Sequence, residues 1–458
     1  MTEFFAESAW LADGWARNVR FSVDADGTLA AVTPDADPAG AERLQGPVIP
    51  GMPNLHSHAF QRAMAGLTER AGGSGQDSFW TWRQVMYGFL DRLGPEELEA
   101  VAAQLYVEML KAGYTAVAEF HYVHHDPAGR PYADPAELSL RVVLAARRAG
   151  IRLTHLPVLY AHAGFGGTDP TGGQRRFINP VERLMDIWDR VAAATRGDPR
   201  VRLGFAPHSL RAVTPVELAD ALAALQERAP DAPIHIHIAE QVKEVEDCLA
   251  WSGQRPVEWL LDHAPVSERW CLVHATHLSG DETRRLAASG AVAGLCPTTE
   301  ANLGDGLFPA VAYSAQSGRF GVGSDSHVSV SPVEELRWLE YGQRLFHRAR
   351  TLLAEPGTPS VASRLWRAAA AGGAQALGIE AGDLSVGKRA DFVVLDTDNP
   401  ALLGKADEGL LDSLVFCGNV PAVRDVAVGG IWVVRDGRHA EEDQIRACYG
   451  DAVRRLVA

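Results

Sequence analysis

Cysteine is scarce in this chain. Only 5 of its 458 residues are cysteines, and none of them are spaced as Cys-x-x-Cys. An odd number of scattered cysteines is not typical of a disulfide framework or of a thiolate zinc site. We therefore expect ordinary core or surface residues at Cys248, Cys271, Cys296, Cys417 and Cys448.

Long hydrophobic runs and an excess of positive charge are also missing. No stretch approaches the roughly 18 consecutive apolar residues that a membrane span requires. The first residues, Met1 to Glu7, include acids where a signal peptide would have a basic start. The net charge of −15 disfavours nucleic acid and anionic membranes as partners. The sequence therefore predicts a cytoplasmic protein with no nucleic-acid or membrane partner, and an anionic small substrate would need a local cluster of cations.

The middle of the chain alternates strand-like runs with Ala- and Leu-rich segments of helical spacing, as for residues 95–112 and 215–227. This alternation is typical of a parallel sheet with crossover helices. Eight units in about 300 residues predict an α/β fold, a (β/α)8 TIM-like barrel over residues 50–376. The strand candidates end near His58 and span residues 114–122, 151–160, 201–208, 234–240, 270–274, 291–297 and 320–325.

Both ends of the chain have the pattern of β-structure. Residues 15–23 and 28–32 flank Asp24-Ala25-Asp26-Gly27, which is typical of a hairpin. Strand-like runs recur at 390–396 and 426–434. Because neither end alone would bury a stable core, we predict one small β-sandwich domain from both termini, with two unrelated extensions as the alternative. Its parts are residues 1–49 and 377–440, and a C-terminal helix follows at 441–458.

Polar, titratable residues follow the predicted barrel strands, where a barrel of this kind places its active site. Residues two apart in a strand point to one face, so His56 and His58 can converge on one ion. That spacing alone also fits solvated or packed histidines, but the later strands that also end in His or Asp favour a metal site. The residues at the strand ends are His56, His58, Tyr122, His208, His237, Glu240, His274 and Asp325.

Several longer segments carry a family resemblance. They are residues 54–66, 206–213, 235–241, 297–306, 323–327 and 382–392. Through them the sequence resembles the amidohydrolase superfamily over nearly the whole chain, and within it the family of N-formimidoyl-L-glutamate deiminases of histidine degradation. The resemblance implies a homodimer and a hydrolase that acts on a C–N bond of a linear amidine.

The resemblance also implies a metal centre. His56, His58, His237 and Asp325 form a nitrogen- and oxygen-rich set suited to zinc, with iron as the alternative. Two-metal members of the superfamily carry a bridging lysine on the fourth strand. Here that strand ends in Ala206-Pro207-His208, so we expect one divalent ion, Zn2+ or else Fe2+. His235 alternates with His237, and we expect it to face outward as a packed residue.

The same resemblance assigns catalytic roles. Glu240 would carry protons to the departing nitrogen, although by sequence alone it also fits a surface acid that starts the next helix. His274 would polarise the attacking hydroxide or the developing tetrahedral centre. Asp325 would accept the proton of the attacking water, which requires an ionised carboxylate. The implied products are N-formyl-L-glutamate and ammonia.

The two carboxylates of such a substrate need paired donors. Arg211 and Arg83 are the leading candidates, because guanidinium groups pair with carboxylates through two hydrogen bonds; Arg83 fits a solvated surface residue equally well. By resemblance, Gln61 and Tyr122 also contact the substrate, and His208 hydrogen-bonds it. The Gly-rich segment around residues 164–177 fits a lid or an oligomer contact and is too rich in glycine for a helix.

Two other functions stay open. A deaminase of a guanine-like aromatic compound would keep every metal ligand and change only the pocket. A non-catalytic barrel used for binding would need neither the ligand set nor Glu240, so their presence argues against it.

Overall fold

The computed structural model describes residues 1–69 and 79–457. Its first fifty residues form five strands, in which β1 pairs antiparallel with β2 and β2 pairs antiparallel with β3. The predicted hairpin turn between β2 and β3 is present, and the Asp24 carboxylate accepts a hydrogen bond from the Thr28 backbone at 2.8 Å. The strands are β1 Thr2–Leu11, β2 Gly14–Val23, β3 Leu29–Thr33, β4 Glu42–Arg43 and β5 Val48–Pro50.

The barrel follows directly. Its strands are β6 Met52–Ser57, β7 Tyr114–His121, β8 Arg152–Leu159, β9 Val201–Leu203, β10 Ala206–Pro207, β11 Ile234–Ile238, β12 Trp270–His274, β13 Val292–Leu295 and β14 Arg319–Val322. β9 and β10 both pair with β8 and together take the place of one interrupted fourth strand. The interruption lies at Gly204, where a Cβ atom would approach the Pro233 carbonyl oxygen to 2.6 Å.

Parallel pairing closes the ring of strands. β6, β7, β8 and β10 form one sheet, and β11 to β14 form another. Bridges from Phe205 to Ile234 and from Ser57 to Asp325 join the two sheets at their two edges. Eight strand positions in a closed parallel ring confirm the predicted (β/α)8 barrel.

Helices surround the barrel in the described part of the chain. They are α1 Phe79–Leu90, α2 Pro95–Ala112, α3 Glu137–Ala149, α4 Val181–Thr195, α5 Pro215–Arg228, α6 Val242–Ser252, α7 Pro256–His263, α8 Gly280–Ser289, α9 Pro297–Leu303, α10 Ala310–Ala315, α11 Pro332–His347 and α12 Val361–Leu377. Among the described helices, none has the combination of length and apolar character needed to cross a membrane.

Helix α12 packs unusually close to the barrel strands. A Cβ atom at Gly372 would collide with the backbone of Phe320 on β14, and one at Gly373 would lie 2.9 Å from the Pro53 carbonyl oxygen on β6. The two glycines therefore let the helix backbone lie directly against the strands that carry the site residues.

The last elements return to the N-terminal strands. They are β15 Phe392–Leu395, α13 Glu408–Phe416, β16 Val423–Val428, β17 Ile431–Arg435, β18 Arg438–His439 and α14 Glu442–Val457. β5 joins β1 to β15, which gives one continuous sheet built from both ends. Phe21 and Phe392 lie on strands separated by two others, yet their ring centroids are 6.2 Å apart. Since neighbouring strands are about 4.8 Å apart, the sheet must roll around its own small core.

Candidate active site

Three imidazoles converge at the C-terminal end of the barrel. The Nε2 atom of His56 lies 3.1 Å from Nε2 of His58 and 2.9 Å from Nε2 of His237. One carboxylate oxygen of Asp325 lies 3.4 Å and 3.3 Å from the Nε2 atoms of His56 and His58. All four side chains are buried. The closure of the barrel places them together, because the backbone N–H of Asp325 donates to the His56 carbonyl oxygen.

Hydrogen bonds at Nδ1 show which nitrogen carries the hydrogen in two of these rings. Nδ1 of His58 donates to the Phe120 carbonyl oxygen at 2.9 Å, and Nδ1 of His237 donates to the His208 carbonyl oxygen at 3.1 Å. Burial lowers the pKa of His56 to about 3 and also lowers that of His58 and His237. With a hydrogen on Nδ1, the neutral rings of His58 and His237 present lone pairs at Nε2. Nδ1 of His56 has no hydrogen-bond partner among the described residues.

Lone pairs that face one another at such distances repel unless a cation lies between them. Three imidazole nitrogens and a carboxylate are the ligand set that zinc and similar divalent ions take in open catalytic sites, and carbonyl acceptors behind the rings are a common support for such ligands. The residues present therefore fit one divalent metal ion.

His274 and Glu240 lie beside this cluster. Nε2 of His274 is 3.7 Å from a Glu240 oxygen and 3.9 Å from an Asp325 oxygen, and its Nδ1 is 3.3 Å from Oε1 of Glu300. Burial lowers the pKa of His274, but the three carboxylates outweigh burial and raise it to about 10. Without a bound cation, the three carboxylates therefore favour the protonated form of the ring.

The two carboxylates nearest the cluster differ in their pKa. Burial raises the pKa of Glu240 to about 7, with a smaller contribution from Asp325 and an opposing one from His274. Burial also acts to raise the pKa of Asp325, but His56 and the other nearby imidazoles hold it well below its usual range. Glu240 can therefore gain or lose a proton near neutral pH, whereas Asp325 stays ionised.

Backbone conformation at the strand ends is unusual. Positive φ angles occur at Ala239 (51°), His274 (67°), Asp325 (45°) and His327 (61°). These residues carry a Cβ atom and rarely adopt this region, and such conformations concentrate at functional sites. The strained turns aim the side chains near β11, β12 and β14 toward a common space.

A cavity opens from the histidine cluster. Its walls bring together all the predicted substrate-contacting residues, namely Gln61, Arg83, Tyr122, His208 and Arg211, with His58, His237, Glu240, His274 and Asp325 at its base. Gln61 donates to the Tyr122 hydroxyl at 3.0 Å. Burial lowers the pKa of Arg211, but Glu244 and other nearby groups raise it overall. The cavity thus contains a buried cation as well as the histidine cluster.

Several site residues were not predicted from the sequence. Tyr160 lines the cavity with its ring centroid 4.5 Å from that of His208. Glu300 contacts His274, and Glu119 accepts hydrogen bonds from the Ser57 hydroxyl and the Ala59 backbone, both at 2.6 Å. Tyr160 stands at the end of a predicted strand, which is a signal that could have identified it. Glu119 lies in a predicted strand and Glu300 in a segment that carries the family resemblance, but neither local sequence indicates a role in the site.

Two other predicted features take definite positions. His235 is buried and its Nε2 hydrogen-bonds the Ala376 carbonyl oxygen at 2.8 Å, so it faces α12 rather than the cavity. The Gly-rich segment is irregular apart from Gly172–Gln174, which form a single 3-10 turn. Oε1 of Gln174 accepts hydrogen bonds from the Thr171 backbone N–H at 2.8 Å and from its hydroxyl at 3.2 Å. Gln174 also donates to the Tyr160 hydroxyl at 2.8 Å.

Comparisons with known proteins agree with this architecture. The sequence profile of the amidohydrolase family matches residues 48–433. The profile described as formimidoylglutamate deiminase HutF, N-terminal domain, matches residues 1–46. The two matches together account for nearly the whole chain.

Individual relatives are similar over comparable lengths. The formimidoylglutamate deiminase of Pseudomonas aeruginosa is 60% identical over 457 residues, covering 100% of both chains. The 8-oxoguanine deaminase of the same species is 31% identical, covering 85% of this chain and 82% of that protein. A crystal structure of an amidohydrolase from Brucella melitensis superposes with a TM-score of 0.93 at 49% identity, covering 100% of both chains.

Proposed function

Because this chain belongs to the amidohydrolase family, we propose that it hydrolyses N-formimidoyl-L-glutamate to N-formyl-L-glutamate and ammonia, a reaction of histidine degradation. The observation that carries this proposal is the 60% identity to the formimidoylglutamate deiminase of Pseudomonas aeruginosa over the full length of both chains. The match of residues 1–46 to the N-terminal domain of such deiminases supports the same activity.

His56, His58, His237 and Asp325 hold one divalent ion in this proposal, with Zn2+ as the first candidate and Fe2+ as the second. The close approach of the three imidazole Nε2 atoms to one another supports this assignment. When bound, the ion supplies Lewis-acid polarisation and lowers the pKa of a water molecule toward about 7.

The protein's own groups move the protons. Asp325, held ionised by the surrounding imidazoles, accepts a proton from the water that adds to the formimidoyl carbon. His274 donates a hydrogen bond from Nε2 to the oxygen that adds. Glu240, whose pKa is about 7, delivers a proton to the terminal nitrogen. The proton held by Asp325 then passes to the same nitrogen and Glu240 takes up the hydroxyl proton as the carbonyl forms. The bond between carbon and nitrogen breaks, and ammonia leaves.

The glutamate end of the substrate binds to cations of the cavity wall. Arg211 and Arg83 pair with its two carboxylates in this proposal, since both line the cavity and guanidinium groups select carboxylates by charge and by geometry. Arg211 is buried and Arg83 is half-buried. Gln61, Tyr122 and His208 complete the polar contacts. We also propose a homodimer in the cytoplasm, on the strength of the family resemblance, and sedimentation equilibrium tests the dimer.

The deciding experiment identifies the nitrogen product. Purified protein is supplied with N-formimidoyl-L-glutamate, and in parallel with 8-oxoguanine, because a deaminase of that purine is among the relatives. We expect ammonia and N-formyl-L-glutamate from the first substrate, released at least about 100-fold more slowly by the Glu240→Gln variant. Release of formamide, or ammonia only from the purine, would refute the proposed reaction.

A further inference from the structure

A second buried carboxylate holds the turn that carries Glu240. Glu244 lies in the first turn of α6 and is 2% exposed. One of its oxygens accepts a hydrogen bond from the backbone N–H of Ala239 and the other from that of Glu240, both at 3.2 Å. A single side chain thus binds two successive peptide groups at the end of β11.

These two peptide groups need such support. Ala239 has a φ of 51°, in the left-handed region that residues with a Cβ atom avoid. Conformations of this kind persist only where surrounding contacts hold them. The turn also sets the direction of the Glu240 side chain, whose carboxylate lies 3.7 Å from Nε2 of His274. A change in the turn would therefore move the carboxylate that is placed to transfer protons.

Glu244 also lies near the Arg211 guanidinium. Its negative charge contributes to the raised pKa of Arg211, so the acid lies close enough to the guanidinium to act on it. The neighbouring Gln241 side chain donates to the buried carboxylate of Asp305, which fixes the next residue of the turn. The described contacts of Glu244 are with the turn itself, and it is not part of the cavity wall.

We propose that Glu244 is a positioning residue of this enzyme, which holds the Ala239–Glu240 turn so that the Glu240 carboxylate reaches the departing nitrogen. This inference rests on the function proposed above. Glu244 acts through Glu240 and touches no reacting atom. The competing role is a helix cap for α6, since an acid at this position commonly binds the N–H groups that precede a helix. A cap alone would affect stability and leave the kcat of the folded enzyme unchanged.

The test compares Glu244→Gln with the exposed control Glu246→Gln on the same helix. Glutamine keeps the length of the side chain but replaces one acceptor oxygen with an NH2 group, so one of the two backbone hydrogen bonds is lost. We expect kcat for N-formimidoyl-L-glutamate to fall about 10- to 100-fold, the effect of a misplacement on the order of 1 Å. KM and the Kd for N-formyl-L-glutamate should change less than kcat, because the lost hydrogen bond is at the reacting end and the Arg211 side chain is retained. The control should match wild type.

A double-mutant cycle separates positioning from capping. In a Glu240→Gln background, Glu244→Gln should reduce kcat by less than about 3-fold further, because residues that act as a unit are not additive. Normal kcat in folded Glu244→Gln, or the same fold-loss in both backgrounds, would overturn the inference. Should that variant not fold, Glu244→Asp keeps the charge but shortens the reach, and an undiminished kcat would be equally decisive. Wild-type protein that releases no ammonia would instead refute the proposed function.

Discussion

Arg211 offers the strongest test of substrate identity. Its side chain is buried, with 8% of the residue exposed, and it lines the same cavity as Glu240 and His274. The chain carries a net charge of −15, so long-range attraction does not draw in a dianion. Selection must come from a few cations inside the cavity. Replacing Arg211 with methionine removes one of these cations while keeping a long apolar side chain.

The structure gives an estimate of the binding free energy that Arg211→Met would lose. Truncating one partner of a buried, hydrogen-bonded charge pair costs about 2 to 5 kcal/mol. The cavity retains Arg83 after the substitution, and Glu244 already acts on the Arg211 charge in the free protein. Both features lower the net contribution, so we expect about 2 to 3 kcal/mol, which is roughly a 30- to 150-fold loss in kcat/KM. Lysine should recover little of it, since it lacks the planar fork.

The assay measures kcat/KM for Arg211→Met and Arg211→Lys with N-formimidoyl-L-glutamate and with an analogue that lacks the α-carboxylate. Wild type should lose efficiency on the analogue, whereas Arg211→Met should treat the two substrates nearly alike. Arg228→Met is a matched control, because Arg228 is exposed on α5 and pairs with Asp189 at 2.9 Å. Full efficiency in Arg211→Met would remove Arg211 from the pocket. An unchanged penalty for loss of the α-carboxylate would place Arg211 at the other carboxylate.

Four further outcomes follow from the structure. Elemental analysis should find about one zinc-like ion per chain, and prolonged chelation should abolish turnover while the circular dichroism spectrum stays that of the folded barrel; two ions per chain would contradict the ligand assignment. Glu240→Gln and Asp325→Asn should each lower kcat by about 10²-fold or more, as for lost acid–base catalysis, and near-normal kcat would show that the proton carrier is elsewhere. His235→Asn should lower the melting temperature more than kcat, because the ring binds a backbone carbonyl outside the cavity; the opposite ranking would place it in catalysis. Gly372→Ala should reduce the free energy of unfolding, measured by urea denaturation, by about 1 to 3 kcal/mol through overpacking. The control is Gly409→Ala, where a Cβ atom meets nothing within 4 Å, and equal stability of the two variants would contradict the close helix contact.

Local patterns in the sequence were enough to predict the barrel and the polar residues at the ends of its strands. A histidine or aspartate that directly follows an apolar run, as His208 and His274 do, lies at the end of a strand whatever the rest of the chain does. The topology of a parallel barrel then brings all such ends to one face. Their convergence therefore needs no knowledge of individual contacts.

The buried acids Glu119 and Glu300 could not be predicted, because their partners are distant in the sequence and a local pattern does not reveal them. Glu119 binds Ser57, which is 62 residues earlier, and Glu300 contacts His274 across 26 residues. In the sequence both resemble solvated acids. β1 was missed for a different reason, because its apolar residues, such as Phe4 and Phe5, are adjacent rather than alternating. A strand covered on both faces has this pattern, and periodicity does not distinguish it from other buried segments.

The sheet shared by the two ends of the chain affects the order of folding during synthesis. β5 emerges from the ribosome early, but its partner β15 follows roughly 340 residues later. At about 5 to 20 residues per second, that interval is roughly 20 to 70 seconds. During this interval the sheet of β1, β2 and β5 lacks the partner strand at β5. Its apolar face, which includes Phe4 and Phe21, is also uncovered. Nascent chains of this protein should therefore bind chaperones through their first fifty residues until the last strands arrive.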